Sequence, residues 1–103
     1  MTMVRMCSRI VCLVLMLGAA SHAALADAAA GKEKSGLCAG CHGADGISLA
    51  DDIPNLAGQK EAYLARVLGE YRSGTRKNPV MSSIAQGLSD EDIRDLAAYF
   101  SSL

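Results

Sequence analysis

Two stretches of the chain carry apolar residues with a helical period. Leu64, Val67, Leu68 and Tyr71 fall at i, i+3, i+4 and i+7, one face of a helix. Gly74 follows where a C-terminal cap belongs, so the pattern predicts a helix over 59–73. Ile93, Leu96, Ala97 and Phe100 repeat the same spacing near the C-terminus. Ser89 is a good N-cap for that helix, and Asp90, Glu91 and Asp92 load its first turn with the negative charge that the helix dipole favours. The Ala- and Lys-rich residues 28–38 predict a short helix. Residues 43–58, with Gly46, Pro54 and Asn55, read as a loop, and 76–79 as a second loop. Residues 82–87 have room for one helical turn. No segment alternates as a strand, and there is no internal repeat, so the expected class is all-α.

The N-terminal residues follow a different pattern. Arg5 and Arg9 precede an 11-residue apolar run over 10–20. That run is shorter than the roughly 20 residues a membrane span needs, and it fits the apolar region of an export signal. Ala24-Leu25-Ala26 is an A-x-A cleavage site, which makes Asp27 the expected first residue of the mature chain. Cleavage after Ala23 and an uncleaved anchor are the alternatives. Neither Cys7 nor Cys12 follows the small residue that lipid-modified cysteines usually follow. The expected organisation is a cleaved signal peptide over 1–26 and one domain over 27–103, delivered to the periplasm, with the membrane serving only as the export route.

Cleavage changes the composition. Removing 26 of 103 residues leaves 77, with all 11 acidic residues and 8 of the 10 basic ones, a net charge of −3. This balance offers no basic footprint for nucleic acid. Of four Cys only Cys38 and Cys41 remain, of two His only His42, and of five Met only Met81. A chain this short rarely builds a sufficient core unaided, and it has four aromatic residues and no Trp. A large apolar cofactor would make up the shortfall.

Cys38-Ala39-Gly40-Cys41-His42 supplies the means of holding one, because C-x-x-C-H is the c-type haem attachment pattern. Each thiol adds across one haem vinyl group, one helical turn spaces the two sulfurs to reach both vinyls, and the adjacent His meets the iron. Ala39 and Gly40 keep the intervening backbone slim. Three other readings compete. A Cys38–Cys41 disulfide is permitted in an exported protein, but it closes a tiny loop and leaves His42 without a purpose. A thioredoxin-like dithiol expects a βαβ setting. A structural zinc site needs four Cys or His ligands, and the mature chain has three.

His42 would occupy one axial position of the iron, and the other is open to His, Met, Lys or nothing. No second His survives cleavage. Met81 is the single Met of the mature chain, in the loop Asn78-Pro79-Val80-Met81 that Pro79 stiffens. The competing role is a gap-filling core Met. Thioether ligation favours ferrous iron, raises the potential, and closes the coordination sphere, which suits electron transfer over catalysis. Arg76 is a candidate partner for a haem propionate, since Arg matches carboxylate geometry. Tyr63, Tyr71, Tyr99 and Phe100 read as core or haem-wall residues. Lys32 and Lys34 are candidates for docking an acidic partner or simply solvated, and Asp51 and Asp52 do not read as a catalytic pair.

At these residues the chain resembles the class I c-type cytochromes of the small bacterial periplasmic kind, and especially one domain of the diheme periplasmic cytochromes. The matching residues run from Cys38 to Gly46, from Pro54 to Gln59, through Tyr63-Leu64, Tyr71-Arg72-Ser73-Gly74, Arg76 and Asn78-Pro79-Val80-Met81, and from Leu88 to Ile93 and Leu96 to Phe100. The resemblance implies a class I cytochrome c fold, with helices wrapped around one covalently attached haem c and the N- and C-terminal helices crossing. It implies His42 and Met81 as axial ligands, with the Pro54 carbonyl accepting the His42 ring N–H. The expected function is one-electron transport between membrane respiratory complexes or periplasmic redox enzymes, after haem attachment by the cytochrome c maturation machinery. A haem subunit of a larger oxidoreductase is one alternative, and a gas-binding or peroxidase-like haem protein another. No enzymatic activity is expected. At 77 residues the mature chain holds a single such unit, free to act alone or pair with a second copy.

Overall fold

The structure is a computed structural model describing residues 25–103; the expected signal peptide, apart from its last two residues, lies outside the described residues. Five helices follow in order: α1 (Ala28–Lys34), α2 (Gly36–His42), α3 (Glu61–Ser73), α4 (Pro79–Gln86) and α5 (Asp90–Ser101). The described residues contain no strand, in keeping with the all-α expectation. None of these helices is long and apolar enough to cross a membrane.

α5 is the central element. α1 and α3 pack on it, and α4 packs on α3. Its N-terminus carries the cap that the sequence predicts, strengthened into a capping box. The Ser89 hydroxyl accepts from the Asp92 N–H at 3.0 Å, and the Asp92 carboxylate accepts from the Ser89 N–H at 2.9 Å. Ile93, Leu96, Ala97 and Phe100 are all buried, together with Tyr99. Leu64 from α3 and Leu88 from the α4–α5 turn complete the core cluster. Arg72 fastens α3 to that turn: Nη1 donates to the Leu88 carbonyl at 3.2 Å and Nη2 pairs with Asp90.

α1 crosses α5 at Gly31, where the two backbones meet. A Cβ added at Gly31 would lie 2.0 Å from the Asp95 carbonyl oxygen and 2.8 Å from the Tyr99 Cβ. Lys34 reinforces the crossing, donating to Asp95 at 2.8 Å and to Asp92 at 2.9 Å. This corrects the reading of Lys34 as a solvated or docking charge: it is committed to two carboxylates of its own chain, while Lys32 stays exposed.

Three boundaries differ from the sequence reading, the smallest being the start of α3 at Glu61, two residues later than predicted. The helix predicted over 28–38 is two helices, parted at Ser35, whose hydroxyl bonds back to the Lys32 carbonyl at 2.7 Å. Such back-bonding by Ser competes with the helical ladder. The loop expected to carry Met81 is the first turn of α4. Asn78 caps it, accepting from the Val80 and Met81 N–H groups at 3.0 Å each, and Pro79 takes the first helical position, where a missing N–H costs nothing. α3 ends as expected, at a left-handed Gly74.

The close crossing makes a direct prediction. Gly31→Val should cost about 3 kcal/mol, the upper range for overpacking. Gly36→Ala, where nothing lies within 4 Å of the new Cβ, should be neutral or mildly stabilising. Denaturant unfolding followed by circular dichroism measures both.

Candidate functional site

α2 carries the C-x-x-C-H motif from end to end. The Ser35 carbonyl accepts from the Cys38 N–H at 2.9 Å and from the Ala39 N–H at 3.1 Å, which starts the helix directly behind α1. Residues three apart share a helix face, so the two thiols are neighbours. Both are free, Cys38 half-buried against the core and Cys41 exposed. Burial pushes the Cys38 thiol above its ordinary pKa. A redox-exchange dithiol needs the opposite, a stabilised thiolate.

Gly43 ends α2 with a φ of 86°, and a Cβ there would meet the Ile47 carbonyl oxygen at 2.0 Å. The chain turns sharply into a loop held by its own backbone. The Gly46 carbonyl accepts from Leu56 at 2.8 Å and from Ala57 at 3.1 Å, and Asn55 Oδ1 accepts from the Ser48 N–H at 2.7 Å. The far end of the loop is tied to α5, where the Phe100 carbonyl accepts from the Gly58 N–H at 2.9 Å.

This loop brings the Pro54 carbonyl within 2.7 Å of His42 Nδ1. A carbonyl oxygen only accepts, so Nδ1 carries a proton, and in the neutral ring the lone pair is on Nε2. The imidazole is buried, and Nε2 makes no hydrogen bond among the described residues. A neutral imidazole oriented through its other nitrogen is the usual form of a metal-ligating His.

The remaining expected site residues lie on α3 and α4. Met81, the third residue of α4, is partly buried. Arg76 follows α3; its Nε donates to Glu70 at 3.3 Å and its guanidinium lies over the Tyr71 ring, 5.6 Å from the centroid. Arg66 binds the same Glu70 at 2.6 Å, and these hydrogen bonds, that from Arg66 foremost, hold the carboxyl below its usual range. Tyr99 and Phe100 are core residues, whereas Tyr63 is exposed and Tyr71 half-buried. Asp51 and Asp52 are exposed on the loop. Sequence reasoning did not single out Arg94, whose Nε is buried with no hydrogen-bond partner in the described residues.

The residues present fit a covalently attached haem. Two thiols share one helix face beside a His whose Nδ1 is protonated toward Pro54 and whose Nε2 has no hydrogen-bond partner among the described residues. Large apolar side chains stand in solvent on the motif helix, the following loop and α4, among them Leu37, Leu49 and Val80, a surplus suited to an apolar macrocycle. The described residues contain no cluster of three His, Cys, Asp or Glu side chains able to hold a bare metal ion.

Comparison with known proteins agrees. The sequence profile of the cytochrome c family matches residues 28–103, and the chain belongs to that family. It is 54% identical over 79 residues to cytochrome c-554(548) of Halomonas halodenitrificans, covering 74% of this chain and 95% of that protein. It is 46% identical over 95 residues to cytochrome c4 of Pseudomonas aeruginosa, covering 90% of this chain but 47% of that protein. The chain thus spans about half the length of this cytochrome c4 relative. Among solved structures it resembles the cytochrome c4 of Acidithiobacillus ferrooxidans, described as supporting a complex-induced tuning of electron transfer. The TM-score is 0.72 at 36% identity, over 81% of this chain and 53% of that one. The fold is that of the class I cytochromes c, the cofactor is haem c attached through Cys38 and Cys41, and the role is electron transport.

Attachment should be inseparable from folding, because the buried core is small and the apolar surplus large. A chain with Cys38→Ser and Cys41→Ser should lose most of its helical signal in far-UV circular dichroism. Native helix content in that variant would show that the polypeptide folds without its cofactor.

Proposed function

We propose that this protein is a periplasmic one-electron carrier whose iron is ligated by His42 and Met81. The hydrogen bond from His42 Nδ1 to the Pro54 carbonyl carries this reading, since it fixes both the tautomer and the direction of the ring. The bound haem supplies reversible one-electron chemistry between ferric and ferrous iron. The chain's own residues supply the rest. Cys38 and Cys41 hold the macrocycle against α2. His42 would hold the iron through Nε2, and the Pro54 carbonyl keeps the imidazole from turning.

Met81 would hold the iron through its thioether from the first turn of α4, where the Asn78 cap fixes its backbone. An iron held by both residues would have no site left for a substrate, which favours a carrier over an enzyme. Arg76 presents five N–H donors in a fork that suits a carboxylate; its Nε donates to Glu70 and its guanidinium lies over Tyr71, and from there it would pair a haem propionate. Exchange with respiratory complexes or periplasmic oxidoreductases would take place through small, transient encounters.

Met81→Ala tests the ligation. The variant should turn high-spin, bind carbon monoxide and drop in midpoint potential, while haem stays covalently attached. An unchanged spectrum and potential would remove Met81 from the iron and reopen the gas-binding alternative.

A further inference from the structure

Asp95 is a charged side chain buried by α1 and α5, only 1% exposed. Its Oδ2 receives Lys34 at 2.8 Å, and its Oδ1 receives the backbone nitrogen of Asp27 at 2.9 Å. Lys34 also serves Asp92 at 2.9 Å, so one ammonium is shared between two carboxylates. Asp27 is the residue that the A-x-A pattern places first in the mature chain.

We propose that leader cleavage between Ala26 and Asp27 completes a half-buried ion pair: the freed α-ammonium of the exposed Asp27 lies on Oδ1 of the buried Asp95 and locks α1 onto α5. The step is hydrolysis of one peptide bond by the leader peptidase: water supplies the hydroxyl to Ala26 and one proton to the new amine, and the Ala26 carboxyl, on ionising, releases the proton that makes the amine an ammonium. The nitrogen already occupies its position; what changes is its charge. Before cleavage it is a neutral amide donor, and two carboxylates share Lys34 as their near cation. Afterwards Asp92 and Asp95 face two cations. This inference rests on the exported reading, and specifically on the position of the cleavage site.

The surroundings favour the arrangement. A positive charge at a helix N-terminus opposes the helix dipole. Here the Asp27 carboxylate answers it by accepting from the Ala29 N–H at 2.9 Å and the Ala30 N–H at 3.2 Å. On α5 the charged neighbours are Asp92 and Arg94, and on α1 the facing cation is Lys34. The Asp95 carboxyl is held below its usual range by Lys34 first and the Asp27 N–H second, so it is ionised wherever the amine is charged.

The pH dependence has a definite sign. A free α-amino group titrates at about 7.7–8.0 in an unfolded chain. Pairing with Asp95 raises that value in the folded protein. The stabilisation is therefore fully present below about pH 7.7 and is lost as pH rises through the raised folded value.

The test compares two exported holoproteins, the natural chain and one with an extra Ala inserted between Ala26 and Asp27. Intact mass should give Asp27 as the natural first residue and Ala ahead of Asp27 in the other. The extended chain keeps the hydrogen bond as an amide but loses the charge. At pH 6–7 the natural chain should melt about 5 °C higher, and the gap should close by about pH 10. In an Asp95→Asn background the gap should be absent at every pH. Should that variant fail to fold, the pH-dependent gap between the two Asp95 chains decides alone. A mature N-terminus other than Asp27 would overturn the cleavage reading, and equal melting temperatures at pH 6–7 with the correct termini would overturn the ion pair.

Discussion

At Gly31 the backbone of α1 rests against that of α5, and the placement of the haem-binding motif depends on this contact. No side chain larger than hydrogen fits there, so the two helices cross closely. Lys34, one turn further along, ties α1 to Asp92 and Asp95 of α5. α2 begins two residues later, so the thiols of Cys38 and Cys41 take their position from that crossing. The other end of α5 performs a matching task. The Phe100 carbonyl holds Gly58, and with it the loop whose Pro54 carbonyl meets His42. One helix thereby sets both the attachment face and the carbonyl that orients the His42 imidazole.

This frame accounts for how a short chain with few aromatics holds a defined site. Its described core rests on α5 with a few residues of α3 and the α4–α5 turn, while several large apolar side chains face outward near the motif. Core and site are fastened to the same helix.

Much of this was legible in the sequence. The periods at Leu64–Tyr71 and Ile93–Phe100 marked α3 and α5, and Ser89 with its acidic first turn marked the α5 cap. C-x-x-C-H identified the cofactor by its chemistry. Other features depended on signals that cut two ways. Asn78-Pro79 reads equally as a turn or as a helix start, and the structure uses it as the start, so Met81 lies on a helix. Ser35 lies inside an apparently continuous helical stretch, and only its bond to Lys32 shows the break. Lys34 resembled any surface Lys until the fold brought it to two carboxylates far along the chain. Long-range pairings of that kind leave no periodicity to read.

The most direct test of the central claim is the absorption spectrum of the exported protein, oxidised and reduced, with acid-acetone extraction of the same sample. Haem that resists extraction, sharp low-spin reduced bands and the weak near-infrared band of a Met–iron bond are the predicted result. Covalent haem with a high-spin spectrum that shifts on adding carbon monoxide would contradict the His42 and Met81 ligation and the carrier role that follows from it.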